Sequence, residues 1–251
     1  MNGARELENR VALVTGAGRN IGRAIALELA AGGAAVIVNT RGNKAEADAV
    51  AGEIENAGGR ALPVTGDVAD AAAVGDMVAT GVARFSRIDY LINNAAMRGE
   101  KPLSDMTYGE WRKVLDVTLD GAFHCVKACL PYLKASGAGA IVNIGGLSSH
   151  AGSKDRAHVL TAKAGLVGLT RALAFDLAGD DVTVNCVAPG LVATARAKDF
   201  IEPQHHAIHH TLSGKRGTPQ DIATIVRFLC GPGARYITGQ TIHASGGAFL
   251  T

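Results

Sequence analysis

Eight residues near the amino end have the types and order needed to hold a chain of phosphates: Thr15-Gly16-Ala17-Gly18-Arg19-Asn20-Ile21-Gly22. They lie between an apolar run at 11–15, which reads as a buried strand, and a segment of helical period. Glycines at a strand-to-helix turn let the backbone approach a pyrophosphate, and the helix amino end adds N–H groups and a positive dipole. Gly16, Gly18, Arg19, Asn20, Ile21 and Gly22 are therefore expected to hold a dinucleotide. The next expected strand ends in Asn39-Thr40-Arg41, with no carboxylate. An acid at that place would hold a ribose 2′-hydroxyl, whereas bases suit a 2′-phosphate. Arg41, joined by Arg19 in fork geometry, points to NADP(H), with NAD(H) as the other candidate and Asn39 beside it. The plain alternative is a tight turn flanked by two surface arginines.

A second cluster is His205, His206, His209 and His210, which on a helix would form two i,i+4 pairs suited to a transition metal. No acidic third ligand stands at a matching turn, although Glu202 is near, so no metal is expected. The plainer reading is a polar segment that becomes positive below about pH 6.5. The four cysteines, Cys125, Cys129, Cys186 and Cys230, show no CxxC or finger spacing, which suggests reduced, buried thiols and a cytoplasmic protein.

The elements that must position these residues come from the apolar pattern. Runs at 11–15, 34–39, 61–65, 88–93, 140–145 and 182–187 read as buried strands separated by helical segments. In 43–58, Ala47, Val50, Ala51 and Ile54 share one helical face before Gly58-Gly59 stops the helix. This alternation predicts an α/β fold: one doubly wound Rossmann-like domain over 1–251, a parallel sheet with helices on both faces. The 191–217 segment breaks the rhythm where such a sheet opens its crevice, so a substrate lid is expected there.

Composition excludes other classes. The 25 Lys+Arg against 23 Asp+Glu are interspersed, which gives no case for nucleic acid or anionic lipid. No run of about 18 apolar residues spans a membrane, and the polar amino end has no apolar signal core. There are 32 glycines in 251 residues, well above the usual ~7%, and these are expected at tight turns and close backbone approaches.

Taken together, the motifs resemble the short-chain dehydrogenase/reductase family, and its 3-oxoacyl-ACP-reductase-like members in particular. The turn resembles TGxxxGxG with Asn20 at the middle glycine, a residue that tolerates left-handed φ. Gly66-Asp67-Val68 resembles the adenine-contacting turn, and Asn93-Asn94-Ala95-Ala96 resembles NNAG. The stretch 164–170 resembles the helix after the catalytic lysine. Asn185 to Gly190 with Thr194 resembles the nicotinamide-side loop, and Ile237 to Gln240 with Gly246-Gly247 the carboxy-terminal signature. The resemblance implies about seven parallel strands. It implies a cofactor held by Asp67, Val68, Asn93, Ala95, Lys163, Pro189, Gly190 and Thr194 as well as the Gly-rich turn. It also implies a homotetramer built on two long helices, 107–136 and 157–179, and the last ten residues.

The catalytic positions depart from that family. Its Tyr-x-x-x-Lys pattern retains only Lys163: Val159 stands at the Tyr, Gly146 at the Ser thirteen residues earlier, and Thr118 at the helix Asn. A positioned proton donor is worth ~10²–10⁴ in rate, and valine and glycine supply none. Nearby substitutes are His158, Ser148 and His150, with Ser149 also close; His158 would leave the helix on a bearing different from that of Val159. The family's 2,4-dienoyl-CoA reductase branch also departs from the Tyr and keeps the Lys, and the stretch 157–163 is similar to it. Three readings follow. The first is an NADP(H)-dependent oxidoreductase of a carbonyl or activated alkene with a non-standard proton donor, Thr194, Arg98 and the lid shaping its pocket. The second is an NADP(H) sensor without turnover. The third is a non-catalytic subunit of a hetero-oligomer with an active homologue.

Overall fold

Val11–Val14 and Ala35–Thr40 are buried along their whole length, so both faces of these strands need cover. The computed structural model, which describes residues 5–194 and 210–250, supplies it with helices on either side of one sheet. The strands are β1 (Val11–Val14), β2 (Ala35–Thr40), β3 (Arg60–Thr65), β4 (Tyr90–Asn93), β5 (Ala140–Ile144), β6 (Thr183–Pro189) and β7 (Thr241–Ala244). All pair in parallel in the order β3-β2-β1-β4-β5-β6-β7, with Val11 opposite Ala35 and Leu13 opposite both Ile37 and Leu91. The strand order reverses between β1 and β4, so a crevice opens beyond their carboxyl ends.

One face is covered by α1 (Asn20–Ala31), α2 (Lys44–Asn56) and α8 (Pro219–Cys230), and Ile25, Leu29, Ile54 and Val226 are among the side chains they bury. The other is covered by α3 (Ala71–Phe85), α5 (Gly121–Ala135) and α7 (Ala157–Asp176), with Met77, Cys125, Cys129 and Ala174 in the core. All four cysteines are buried free thiols. At the amino ends of the central strands, the fully buried Asp89 carboxylate accepts from Val11 N at 2.9 Å and from Arg10 Nη1 at 2.8 Å, and Arg87 Nη2 adds a third donor at 2.5 Å. With Arg87 Nε donating at 2.8 Å as well, four charge-assisted bonds offset the desolvation that one buried carboxylate would otherwise incur.

The elements differ from expectation mainly at their ends. The fourth strand, expected over 88–93, begins only at Tyr90: Ile88 and Asp89 precede the ladder, and the Asp89 carboxylate turns to its arginines. Thr15 leaves β1 because its hydroxyl bonds across to the β4 loop. The span 107–136 is not one regular helix: α4 (Tyr108–Leu115) passes through a π-helical turn, Asp116–Asp120, into α5. Such a turn commonly re-aims a side chain at a site, and here it carries Thr118, whose hydroxyl accepts from Met97 N at 3.3 Å. The ends of the 191–217 segment are pinned together, Ala193 N donating to Gly217 O at 2.8 Å and Gly217 N to Leu191 O at 2.9 Å. His205, His206 and His209 lie outside the described residues, and His210 is exposed.

A Cβ on Gly22 would overlap the Gly16 carbonyl oxygen, whereas one on Gly146 meets nothing within 4 Å. Gly22→Ala is expected to destabilise the chain by about 1–3 kcal/mol, and Gly146→Ala by less than about 0.5 kcal/mol, in urea unfolding.

Candidate functional site

The Gly-rich turn is built by a sharp reversal after β1. Gly16 takes φ +61° and Asn20 φ +51°, so the asparagine occupies the left-handed region anticipated for it. Ala17 N donates to Asn39 O at 2.7 Å. Gly16 N donates to Asn39 Oδ1 at 3.3 Å, and Asn39 Nδ2 donates to Gly66 O at 3.1 Å. Asn39 is thus buried and ties three loops together, a structural task beside any it has toward a ligand. Arg19 is the exposed N-cap of α1 and Arg41 is exposed at the end of β2, so both flank one corner of the crevice.

At that corner the sequence reading missed a carboxylate. Glu46, in the first turn of α2, lies against Gly18: a Cβ there would sit 2.8 Å from Glu46 Oε2 and 2.8 Å from Thr40 Cγ2. Asn43 caps α2 by accepting from Glu46 N at 3.2 Å. The Asn-x-x-Glu spacing is a helix-start signal that would have placed this acid in the first turn. Further along the edge, Asp67 Oδ1 accepts from Ala69 N at 3.0 Å, and Val68 is buried against Gly121.

On the other side of the switch point, Thr15 Oγ1 donates to Ile92 O and accepts from Asn94 N and Ala95 N at 3.0 Å. Asn94 Nδ2 donates to the carbonyls of Thr15 at 2.9 Å and Gly16 at 3.0 Å. Asn93 Nδ2 donates to Asn143 Oδ1 at 2.8 Å, and Asn143 Nδ2 to Thr170 Oγ1 at 2.9 Å, a buried chain linking β4, β5 and α7. Asn93 Oδ1 is buried without a hydrogen-bond partner. An unsatisfied acceptor at that depth calls for a donor, and a nucleotide in the crevice would supply one. The residues present therefore fit a nicotinamide dinucleotide: a glycine cradle without room for side chains, and a buried acceptor in need of a partner.

Lys163 lies half-buried on α7, and its Nζ donates to Ile144 O at the carboxyl end of β5. Desolvation first, then the positive charges of Arg98 and Arg156, pull its pKa from 10.5 down to about 7. One turn earlier, Val159 is buried with Val114, Leu115 and Ala162. Pro189 ends β6 and accepts from Leu147 N at 2.9 Å, Gly190 N donates to Ala244 O at 2.9 Å, and Thr194 is half-buried. A Cβ on Gly190 would come within 2.7 Å of Ser245 Cα, so this loop is packed tightly on the end of β7.

His158, Ser148, Ser149 and His150 lie between the end of β5 and the first turn of α7. His158 is five residues before Lys163, about 140° around the helix. It is buried, it faces Gly99, and burial lowers its pKa, with Arg156 adding to the effect. Ser148, in the short helix α6 (Ser148–Ala151), accepts from Arg156 Nη1 at 3.3 Å. Ser149 Oγ donates to Gly146 O at 2.7 Å. His150 stacks edge-on against His243 of β7, ring centroids 4.5 Å apart, with Phe249 at 5.7 Å. Burial keeps the pKa of both rings below the usual value. His243 and Phe249 carry no local signal in the sequence, because only the fold brings the carboxy terminus to α6.

The fold and these motifs have close counterparts. A family model described as enoyl-(acyl carrier protein) reductase matches residues 16–248. A 3-oxoacyl-[acyl-carrier-protein] reductase of Synechocystis is 41% identical over 246 residues, covering 97% of this chain and 98% of its own. The short-chain reductase protein NovJ of Streptomyces niveus is 40% identical, covering 96% and 94%. The crystal structure of a dehydrogenase/reductase from Sinorhizobium meliloti superposes with a TM-score of 0.92 at 34% identity, covering 98% of each chain. With this fold, these motifs and relatives matched along almost their whole length, the chain belongs to the short-chain dehydrogenase/reductase family of oxidoreductases.

Proposed function

We propose that this protein is a nicotinamide-dependent oxidoreductase acting on a carbonyl or activated alkene, with Lys163 as its proton-handling group. The observation that carries this reading is the place of the Lys163 amine, which donates to Ile144 O at the carboxyl end of β5, where burial lowers its pKa toward about 7. The Gly-rich turn would hold the pyrophosphate. Asp67 and Val68 would border the adenine, and Asn93, Ala95, Pro189, Gly190 and Thr194 the nicotinamide side. Arg19 and Arg41 favour NADP(H) over NAD(H) by pairing with a 2′-phosphate. The bound nicotinamide supplies or accepts the hydride. With Val159 and Gly146 offering no hydroxyl, a group titrating near neutrality is the one suited to give or take the accompanying proton. In this reading the chain is one domain over 1–251, with 191–217 as its lid, and works in the cytoplasm; no described helix is long and apolar enough to cross a membrane.

Assembly is part of the proposal. Phe123 on α5, Phe175 on α7 and Leu250 near the carboxy terminus are 51%, 87% and 75% exposed, all within the segments assigned to subunit contact. Large exposed apolar side chains mark such contacts, which supports a homotetramer. The bare positions at Gly146 and Val159 favour a second reading, a subunit that binds nucleotide but leaves catalysis to an active homologue or only reports the nucleotide state.

Turnover separates the two. With NADPH and a panel of ketones, oxo esters and enones, the first reading predicts consumption of NADPH that falls at least ~100-fold in Lys163→Ala. Reduction should decline as pH rises through about 7, because the ammonium form donates the proton. No turnover with any compound would sink it in favour of the second reading.

The same amine predicts a stability trend in the nucleotide-free chain. Its folded pKa lies below the unfolded 10.5, so between about 7 and 10.5 the unfolded chain binds more protons. The contribution of Lys163 to stability therefore rises with pH across that window and levels off above it. Lys163→Met should flatten this part of the unfolding free-energy profile.

A further inference from the structure

The corner between the first turn and the end of β2 holds one group that the reading above leaves unused. Glu46 lies on Gly18, with its Oε2 2.8 Å and its Cβ 2.9 Å from the place a Gly18 Cβ would take; the Thr40 methyl closes the same space. Its position is fixed by its neighbours. Asn43 Oδ1 accepts from Glu46 N, and Thr40 Oγ1 donates to Asn43 O at 2.9 Å, so the start of α2 is tied to the end of β2. Glu46 is half-buried, and no hydrogen bond to its carboxylate is found among the described residues. Arg19 follows Gly18 in the chain and Arg41 follows Thr40, so the acid and both bases border one corner.

This corner is where the two nicotinamide nucleotides differ. A carboxylate there accepts from a ribose 2′-hydroxyl and repels a 2′-phosphate. We propose that Glu46 is the specificity-determining residue of the ribose site: it holds the 2′-hydroxyl of NAD(H) and opposes the 2′-phosphate of NADP(H), limiting the preference that Arg19 and Arg41 create. The proposal rests on the nucleotide-binding reading above. The acid comes from the helix after β2 rather than from the strand end, which is why Asn39-Thr40-Arg41 alone points to NADP(H).

The test is calorimetric titration of the full chain with NADPH, NADH, adenosine 2′,5′-bisphosphate and adenosine 5′-monophosphate. Glu46→Gln is compared with Glu55→Gln, an exposed acid at the far end of α2. Glu46→Gln keeps the backbone bond to Asn43 and removes only the charge. It should raise the NADPH-to-NADH affinity ratio at least ~10-fold, about 1.4 kcal/mol, with the same change between the two adenosine fragments. Glu55→Gln should leave the ratio within about twofold, and salt should shrink the effect of Glu46. Nucleotide binding with a ratio that Glu46→Gln does not move would overturn this role and leave the binding reading intact. Fragments that discriminate through Glu46 while whole nucleotides fail to bind would overturn the binding reading, and with it the role of Glu46 toward NAD(H). Absence of binding by all four compounds would overturn both.

Discussion

Everything at the candidate site depends on the seam where β1 and β4 part. Thr15 leaves its strand to place one hydroxyl against Ile92 O and two backbone N–H groups of the β4 loop, and Asn94 returns two bonds to the carbonyls of Thr15 and Gly16. The two loops form one rigid object. They can approach this closely only because Gly16 and Gly22 lack side chains: a Cβ on Gly22 would meet the Gly16 carbonyl, and one on Gly16 would lie 3.0 Å from Ala95 Cα. The seam fixes the direction of the α1 amino end, and with it the place where an anion is favoured.

The other wall of the crevice is held by a buried polar chain rather than by apolar packing alone. Asn93, Asn143 and Thr170 link β4, β5 and α7, and Lys163 reaches from the same helix to Ile144 O. Buried polar links of this kind fix one geometry when satisfied; the remaining acceptor on Asn93 marks the side from which a ligand would complete it. Val159, one turn before Lys163, and Gly146 carry no hydroxyl. Burial of the Lys163 amine and the charges of Arg98 and Arg156 push it toward neutrality.

The fold was legible because both kinds of signal were strong. Fully apolar strands between helical segments leave few options besides a doubly wound parallel sheet, and glycine spacing marked the cradle. Boundaries slipped by one or two residues where a side chain took over from the ladder, as at Thr15 and Asp89. The resemblance implies one long helix over 107–136, and the sequence carries no mark of the π-helical turn at Asp116–Asp120. Contacts between distant segments were not legible. Glu46 is six residues beyond the end of its strand, and His243 meets His150 only through the sheet order. That Gly146 and Val159 carry no hydroxyl is a matter of sequence alone.

The central claim is that the crevice holds a nicotinamide nucleotide with Arg41 at one end and Lys163 at the other. Its most direct test is calorimetry of NADPH binding to the wild-type chain, Arg41→Asp and Lys163→Ala. The predicted result is binding to the wild type that each substitution weakens about tenfold or more. Wild-type binding that neither substitution alters, or no binding at all, would contradict it.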